Sequence, residues 1–365
     1  MGMAKQFSIS FATFILVNIF FTIKAQTIPA ADGEVNTWFQ TAVKPFSAQS
    51  GTLESNVVEA ESGAAEVIDV RQDGSGKFTT ISDAVKHVKI GNTKRVIITI
   101  GPGEYKEKVK IERLSAYITF YGTDPKNRPT ITFAGTAAEY GTVDSATLIV
   151  ESDYFVAANI IVSNAAPRPD GERKGAQASA MRISGDKAAF YNCKFVGFQD
   201  TVCDDKGKHF FKDCYIEGTV DFIFGEGRSI YLNTEIHVLS GDPAAVITAH
   251  ARKTADGEGG YSFVHCPVTG TGGNALLGRP WMEAARVVFS YCTISDVIKP
   301  EGWTNNDKPE LEKTMFFGEY SNTGPGASPD KRAPYTKKLT DEEVKTFTSL
   351  EYIDAAKWLL PPPKV

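Results

Sequence analysis

Short runs of apolar and β-branched residues, broken by Gly, Asn and Asp, recur from Val67 to about residue 295. They include Val67–Val70, Arg95–Ile100, Ile118–Tyr121, Thr130–Phe133, Ala146–Val150, Asn159–Val162 and Ala180–Ile183. Later come Ser229–Leu232, Ala245–Thr248, Ser262–Val264 and Val287–Phe289. Such runs, bounded by turn residues, read as strands. Arg95–Ile100 is apolar almost throughout, which suits a strand buried on both faces. One early stretch has helical periodicity instead. Thr80–Val88 sets Ile81, Ala84, Val85 and Val88 on one face, and predicts a short helix closing the open first edge of the strand stack.

Two of the runs match each other. Phe190-Tyr-Asn-Cys193 to Gly197 and Asp200 falls on Phe211-Lys-Asp-Cys214 to Gly218 and Asp221 at a shift of 21 residues. Tyr231-Leu-Asn-Thr234 continues the register 20 residues after Phe211, and Phe263-Val-His-Cys266 and Phe289-Ser-Tyr-Cys292 read as further copies with loops between them. A period in the twenties with β character marks a solenoid whose turns stack. The fold expected is all-β, a right-handed parallel β-helix with short capping and C-terminal helices. An antiparallel sandwich is the alternative, and it leaves the register match unexplained.

Stacked strands lie about 4.8 Å apart. In this register Asp200 and Asp221 become neighbours on adjacent rungs. Two such carboxylates repel, so one ionises normally and the other keeps its proton to higher pH. That pairing suits a nucleophile beside a general acid. Plain turn chemistry explains paired Asp residues equally well. Gln199 and the apolar Phe222-Ile-Phe224-Gly225 around them favour a use for partly buried acids.

The ends of the chain differ from its middle. Lys5, the apolar Phe7 to Thr22 and the small Ala25 read as a secretory signal over residues 1–25, cut before Gln26. Residues 26–64 read as a polar, irregular extension lying on the main body, anchored by Trp38-Phe39. Residues 65–365 read as one β-helix unit that includes the C-terminal tail and is expected to carry any chemistry. From Pro300 it becomes a looped tail with two short helices, Leu339–Phe347 and Tyr352–Trp358, for which Thr340 and Asp341 are the cap candidates.

Composition narrows the partners. The chain has 365 residues and formal net charge −5, and residues 1–25 contribute two lysines and no acid. A mildly acidic chain without a basic stripe is not a nucleic-acid binder, and no second hydrophobic span follows the leader. The five cysteines make an odd set, with Cys193 and Cys214 on stacked rungs able to form either a disulfide or an unbridged ladder. No Cys/His spacing suggests a metal, and no Asn-x-Ser/Thr sequon occurs. Asp73-Gly-Ser-Gly-Lys77 lacks the spacing of a phosphate loop and reads as a turn. No Gly-x-Ser-x-Gly elbow is present, and the five histidines suggest no triad, which leaves carboxylates as the candidates for chemistry.

Five segments in order then carry a resemblance. Gly103-Glu-Tyr-Lys-Glu107, Gln177-Ala-Ser-Ala180, Gln199-Asp200-Thr201, Asp221-Phe-Ile-Phe-Gly225 and Leu277-Gly-Arg-Pro-Trp281 resemble the motifs of the plant pectin methylesterases. The short leader without a long pro-region resembles the pollen members, several of them allergens. The resemblance implies a parallel β-helix and a secreted cell-wall enzyme that hydrolyses C6 methyl esters of homogalacturonan without cofactor or metal. Methyl-esterified pectin is the implied partner, a proteinaceous pectinesterase inhibitor a second, and the expected state is a monomer. It also implies roles: Asp221 as nucleophile, Asp200 as general acid and then base, Gln177 and Gln199 as oxyanion donors, and Arg279 as the residue orienting Asp221. Trp281, Trp303, Phe224 and Thr201 are the implied substrate contacts. Structural alternatives stay open: Gln177 as a polar ladder member, Arg279 as a bridge to a surface Asp, and Trp303 as core.

Three positions depart from the family pattern. Val143, Cys203 and Leu276 stand where an aromatic residue is usual, so stacking in the cleft, and with it affinity, is expected to differ. A carbohydrate-binding β-helix with little turnover is therefore a competing reading. A backbone-cutting polygalacturonase or lyase is a third, and it lacks its acid cluster, Gly-His-Gly or calcium ligands here.

Overall fold

In a computed structural model, which describes residues 27–239, 245–363 and 365, the strands form three parallel sheets of eleven, seven and eight strands. Each turn of the chain contributes one strand to each sheet in the body of the molecule, which is a right-handed parallel β-helix. The leader over residues 1–25 lies outside the described residues.

The register follows the repeat. Phe190 pairs with Phe211, Phe211 with Tyr231, Tyr231 with Phe263 and Phe263 with Phe289. Their rings stack inside the helix with centroids 4.6, 4.5, 4.5 and 4.4 Å apart. Strand spacing thus becomes ring spacing, and the core is held by one continuous column.

Each of these rungs then turns through a left-handed residue: Asn192, Asp213, Asn233, His265 and Tyr291, with φ between 48 and 57°. Asn and Asp tolerate this region better than most side chains. The next residue, Cys193, Cys214, Thr234, Cys266 or Cys292, points inward. Its S–H or O–H donates to the backbone carbonyl two residues back, at 3.3–3.6 Å. A small donor at the corner therefore satisfies a carbonyl that the turn would orphan. All five cysteines are buried free thiols, so the ladder and not the disulfide is what forms.

The helix Ile81–His87 caps the first strands as expected, with the Thr80 hydroxyl accepting from Asp83 N. Asp341–Phe347 begins with a full capping box between Thr340 and Glu343. Three expectations are corrected. The described part of residues 26–64 is not irregular, because helices form at Val35–Ala42, Phe46–Gln49 and Ser55–Glu61. They are short and pack by a few residues such as Phe39, stacked on Phe210 at 5.8 Å, so the sequence carries little periodicity. The segment Tyr352–Trp358 is two 3-10 turns, Leu350–Ile353 and Ala355–Lys357, split by Asp354 at φ 51°. The tail after Pro300 is not all loop, since Phe316–Tyr320 pairs with Arg286–Ser290 and adds another strand. The N- and C-terminal segments both pack on the outer face of the eleven-stranded sheet, around Tyr191, Phe210, Ile230 and Val264. Among the described residues, the terminal segments do not pack over the seven-stranded sheet in this way.

Candidate active site on the seven-stranded sheet

Asp200 and Asp221 sit at the entry of successive strands of that sheet, Val202–Asp204 and Ile223–Gly225. The pairings Val202↔Ile223 and Cys203↔Phe224, and the bond from Asp200 N to Val220 O at 3.1 Å, set them in register. Both carry positive φ, 66° and 51°, a sparsely populated conformation that concentrates at functional positions. Both are buried, with 7% and 2% of their surface exposed.

Their surroundings differ. Arg279, on Leu276–Pro280, grips Asp221 with both arms: Nε donates to Oδ1 at 2.8 Å and Nη2 donates to Oδ2. Nη1 of Arg279 donates to Asn306 Oδ1 at 3.2 Å, which fixes the guanidinium plane. The Asp200 carboxyl makes no protein hydrogen bond among the described residues. Burial and then the Asp221 charge push Asp200 well above the ordinary carboxylate value, against the pull of Arg279. Burial also raises Asp221, and Arg279 pulls it back through the hydrogen bonds and its charge. The site therefore holds an acid beside a clamped carboxylate.

Gln177 and Gln199 lie on neighbouring rungs, with Ala178 N donating to Gln199 O at 3.2 Å. Both are half-buried, and neither side-chain amide has a protein partner among the described residues. Unused N–H donors beside a carboxyl pair are what a developing oxyanion requires. Phe224 is half-buried on the outer face of the sheet, and Trp281 is 52% exposed, 6.0 Å from the Arg279 guanidinium.

Two of the expected substrate contacts are corrected. Thr201 is fully buried, and its hydroxyl donates to Phe198 O and Glu217 O, so it fastens the turn before the strand. Trp303 is 2% exposed, stacked on Phe317 at 4.5 Å, with its indole N–H donated to Glu319. Packed against Gly278, it offers no ring face to a ligand. Of the three departures from the aromatic pattern, Cys203 and Leu276 are buried and Val143 is half-buried. Asn306 was not singled out by sequence. It reaches the site from a loop at φ 60°, and its only local signal is the turn-forming run Asn305-Asn306-Asp307.

A cavity of about 980 Å³ lies elsewhere, between the N-terminal helices, the Pro361–Pro363 tail and the eleven-stranded sheet. It contains none of these residues. Among the described residues no group of His, Cys, Asp or Glu is arranged to hold a metal, and no helix is long and apolar enough to cross a membrane.

The Pectinesterase family model matches residues 67–356. The chain belongs to the pectinesterase family. As a pectinesterase it is a carboxylic ester hydrolase acting on pectin. It is 59% identical over 335 residues to Pectinesterase 2 of Olea europaea, covering 92% of this chain and 91% of the relative. Its fold resembles that of the pectin methylesterase from carrot, with TM-score 0.77, 29% identity and coverage of 83% of this chain and 99% of that one. A crystal structure of a pectin methylesterase in complex with a hexasaccharide matches with TM-score 0.68 and 25% identity, covering 83% of this chain and all of the other.

Proposed function

We propose that this pectinesterase is secreted to the cell wall and removes C6 methyl esters from homogalacturonan through a covalent Asp221 intermediate. The carrying observation is the asymmetry of the pair: Asp221 is clamped by Arg279, while the Asp200 carboxyl stands beside it with a raised pKa and no hydrogen-bond partner among the described residues. The hexasaccharide-bound relative supports an extended sugar chain lying in the groove.

Asp221 attacks the C6 carbonyl, and the amide N–H groups of Gln177 and Gln199 take up the oxyanion. The C6–OCH3 bond breaks, the leaving oxygen takes the Asp200 proton, and methanol departs from an acyl anhydride. Asp200, now ionised, accepts a proton from water as its oxygen adds to C6. The anhydride bond breaks, Asp221 is freed as carboxylate, and the galacturonic acid product ionises. Trp281 and Phe224 carry the sugar faces.

The test is methanol release from methyl-esterified pectin, with Asp221→Ala as the comparison. The unmodified protein is expected to release methanol and the variant essentially none. Equal release from both would reject Asp221 as nucleophile, and viscosity loss without methanol would point to backbone cleavage.

A further inference from the structure

The C-terminal tail adds a partial rung to the seven-stranded sheet. Beyond Leu276–Pro280, single parallel bridges join Ala275 to Ile298 and Gly278 to Trp303. Leu277 N donates to Gly302 O at 2.7 Å, and Thr304 N donates to Gly278 O at 3.2 Å. The Trp303 ring is buried against Phe317, so the residues after it are held at the sheet edge beside Arg279. Thr304 Oγ1 accepts from Asn306 N at 3.0 Å. Asn305 donates to Glu312 at 2.7 Å and accepts from Asp307 N at 3.1 Å. Asn306 and Asp307 both take positive φ, 60° and 56°, a backbone kept only where its surroundings fix it. What it delivers is the Asn306 amide, to the guanidinium of Arg279.

Arg279 needs a second hold. Register runs from Phe224 to Ala249 to Arg279, so the arginine starts two rungs beyond the strand that Asp221 opens. Its side chain reaches back across about 10 Å of sheet, past the small Ala249. A side chain with about 2 kcal/mol of rotamer entropy does not keep one plane unaided. Nε and Nη2 are taken by Asp221, and Nη1 donates to Asn306 Oδ1 at 3.2 Å. The Trp281 ring stands 6.0 Å from the guanidinium. Asp221 and Asp200 are the charges that act on it, while Asp307 beside Asn306 is exposed. Asn306 is neutral, so it aims the cation without drawing its charge away from Asp221.

We infer that Asn306 is a positioning residue: it fixes the guanidinium plane of Arg279 and, through it, the aim of the Asp221 carboxylate. The inference rests on the Asp221 mechanism given above. A loosened guanidinium leaves Asp221 both less well aimed and less well stabilised as an anion, so more of it is protonated at a given acid pH. The tail after Pro300 then completes the site and does not merely extend the sheet.

The experiment measures kcat and KM for methanol release from methyl-esterified pectin across pH, in the unmodified protein, Asn306→Gly and Asn306→Asp. Glycine adopts the left-handed backbone freely, so the first variant removes only the acceptor. It is expected to lower the plateau kcat about ten-fold, to leave KM little changed, and to move the acidic limb of kcat/KM to higher pH. Asn306→Asp keeps an acceptor at the same reach but divides the cation between two carboxylates. It is expected to restore most of the lost kcat and to leave the acidic limb displaced. A raised KM with kcat and limb unchanged would make Asn306 a sugar contact and overturn the proposal. Asn306→Asp turning over no faster than Asn306→Gly would overturn it as well. If Asn306→Gly does not fold, Thr304→Val removes the hydroxyl that accepts from Asn306 N and is expected to move the limb the same way; an unmoved limb there overturns the proposal. Equal methanol from the unmodified protein and Asp221→Ala would instead sink the nucleophile reading itself.

Discussion

Asp200 is kept as an acid at a cost to folding. Its pKa in the folded chain lies well above the ordinary 3.8, because burial and the Asp221 charge disfavour its ionised form. The folded state thus binds a proton that the unfolded state has released. Stability is lost as pH rises from the unfolded value through the folded one. Asp200→Asn is therefore expected to behave like the parent at about pH 4, and to melt higher near neutral pH by on the order of 3 °C. Thermal unfolding at both pH values checks this, alongside loss of methanol release. An equal melting shift at both pH values would show that ionisation of Asp200 is not what the fold resists. In the proposed mechanism turnover needs Asp221 ionised and Asp200 protonated, so the raised pKa values would bracket it. Much of this pair was legible beforehand, because no loop is inserted between its two rungs and the 21-residue shift survives in the text. Thr201 and Trp303 misled for the opposite reason. Motif membership does not say which way a side chain faces, and both turned out to satisfy internal carbonyl or carboxylate groups.

Among elements, the stacked rings of Phe190, Phe211, Tyr231, Phe263 and Phe289 are the seam joining rung to rung. Phe211 is fully buried with a ring on either side. Phe211→Ala leaves a cavity that a column of fixed pitch cannot close by collapse. Denaturant unfolding should show a loss of about 3–5 kcal/mol. A loss near 1 kcal/mol would mean that the rungs can slide together. The longer strands were legible because their apolar runs are buried on both faces, as in Val96–Ile100. Short ones such as Glu104–Lys106, Glu235–Val238 and Pro267–Gly270 were not. Each has polar or half-exposed positions and is held as a strand by its neighbours above and below. The N-terminal helices were equally faint, since they owe their form to docking on Phe210 and its neighbours.

Across the whole molecule, the five thiols are distributed through a core that water does not reach. Burial holds Cys203, Cys214 and Cys266 well above the usual thiol range, which keeps them unreactive. The folded protein is expected to show essentially no reaction with a thiol reagent, and all five cysteines should react once it is unfolded without reductant. Fewer than five after unfolding would reveal a disulfide and contradict the corner ladder.

The chain spends 20 residues between Phe211 and Tyr231 but 32 between Tyr231 and Phe263, and the rings are 4.5 Å apart in both cases. Contour length and pitch are thus independent. Excursions at the corners can grow, shrink or change sequence, reshaping the banks of the groove, while the two acids stay at a separation set by backbone geometry alone. Descendants of such a scaffold can alter what lies along the sheet without disturbing the spacing of the acid pair.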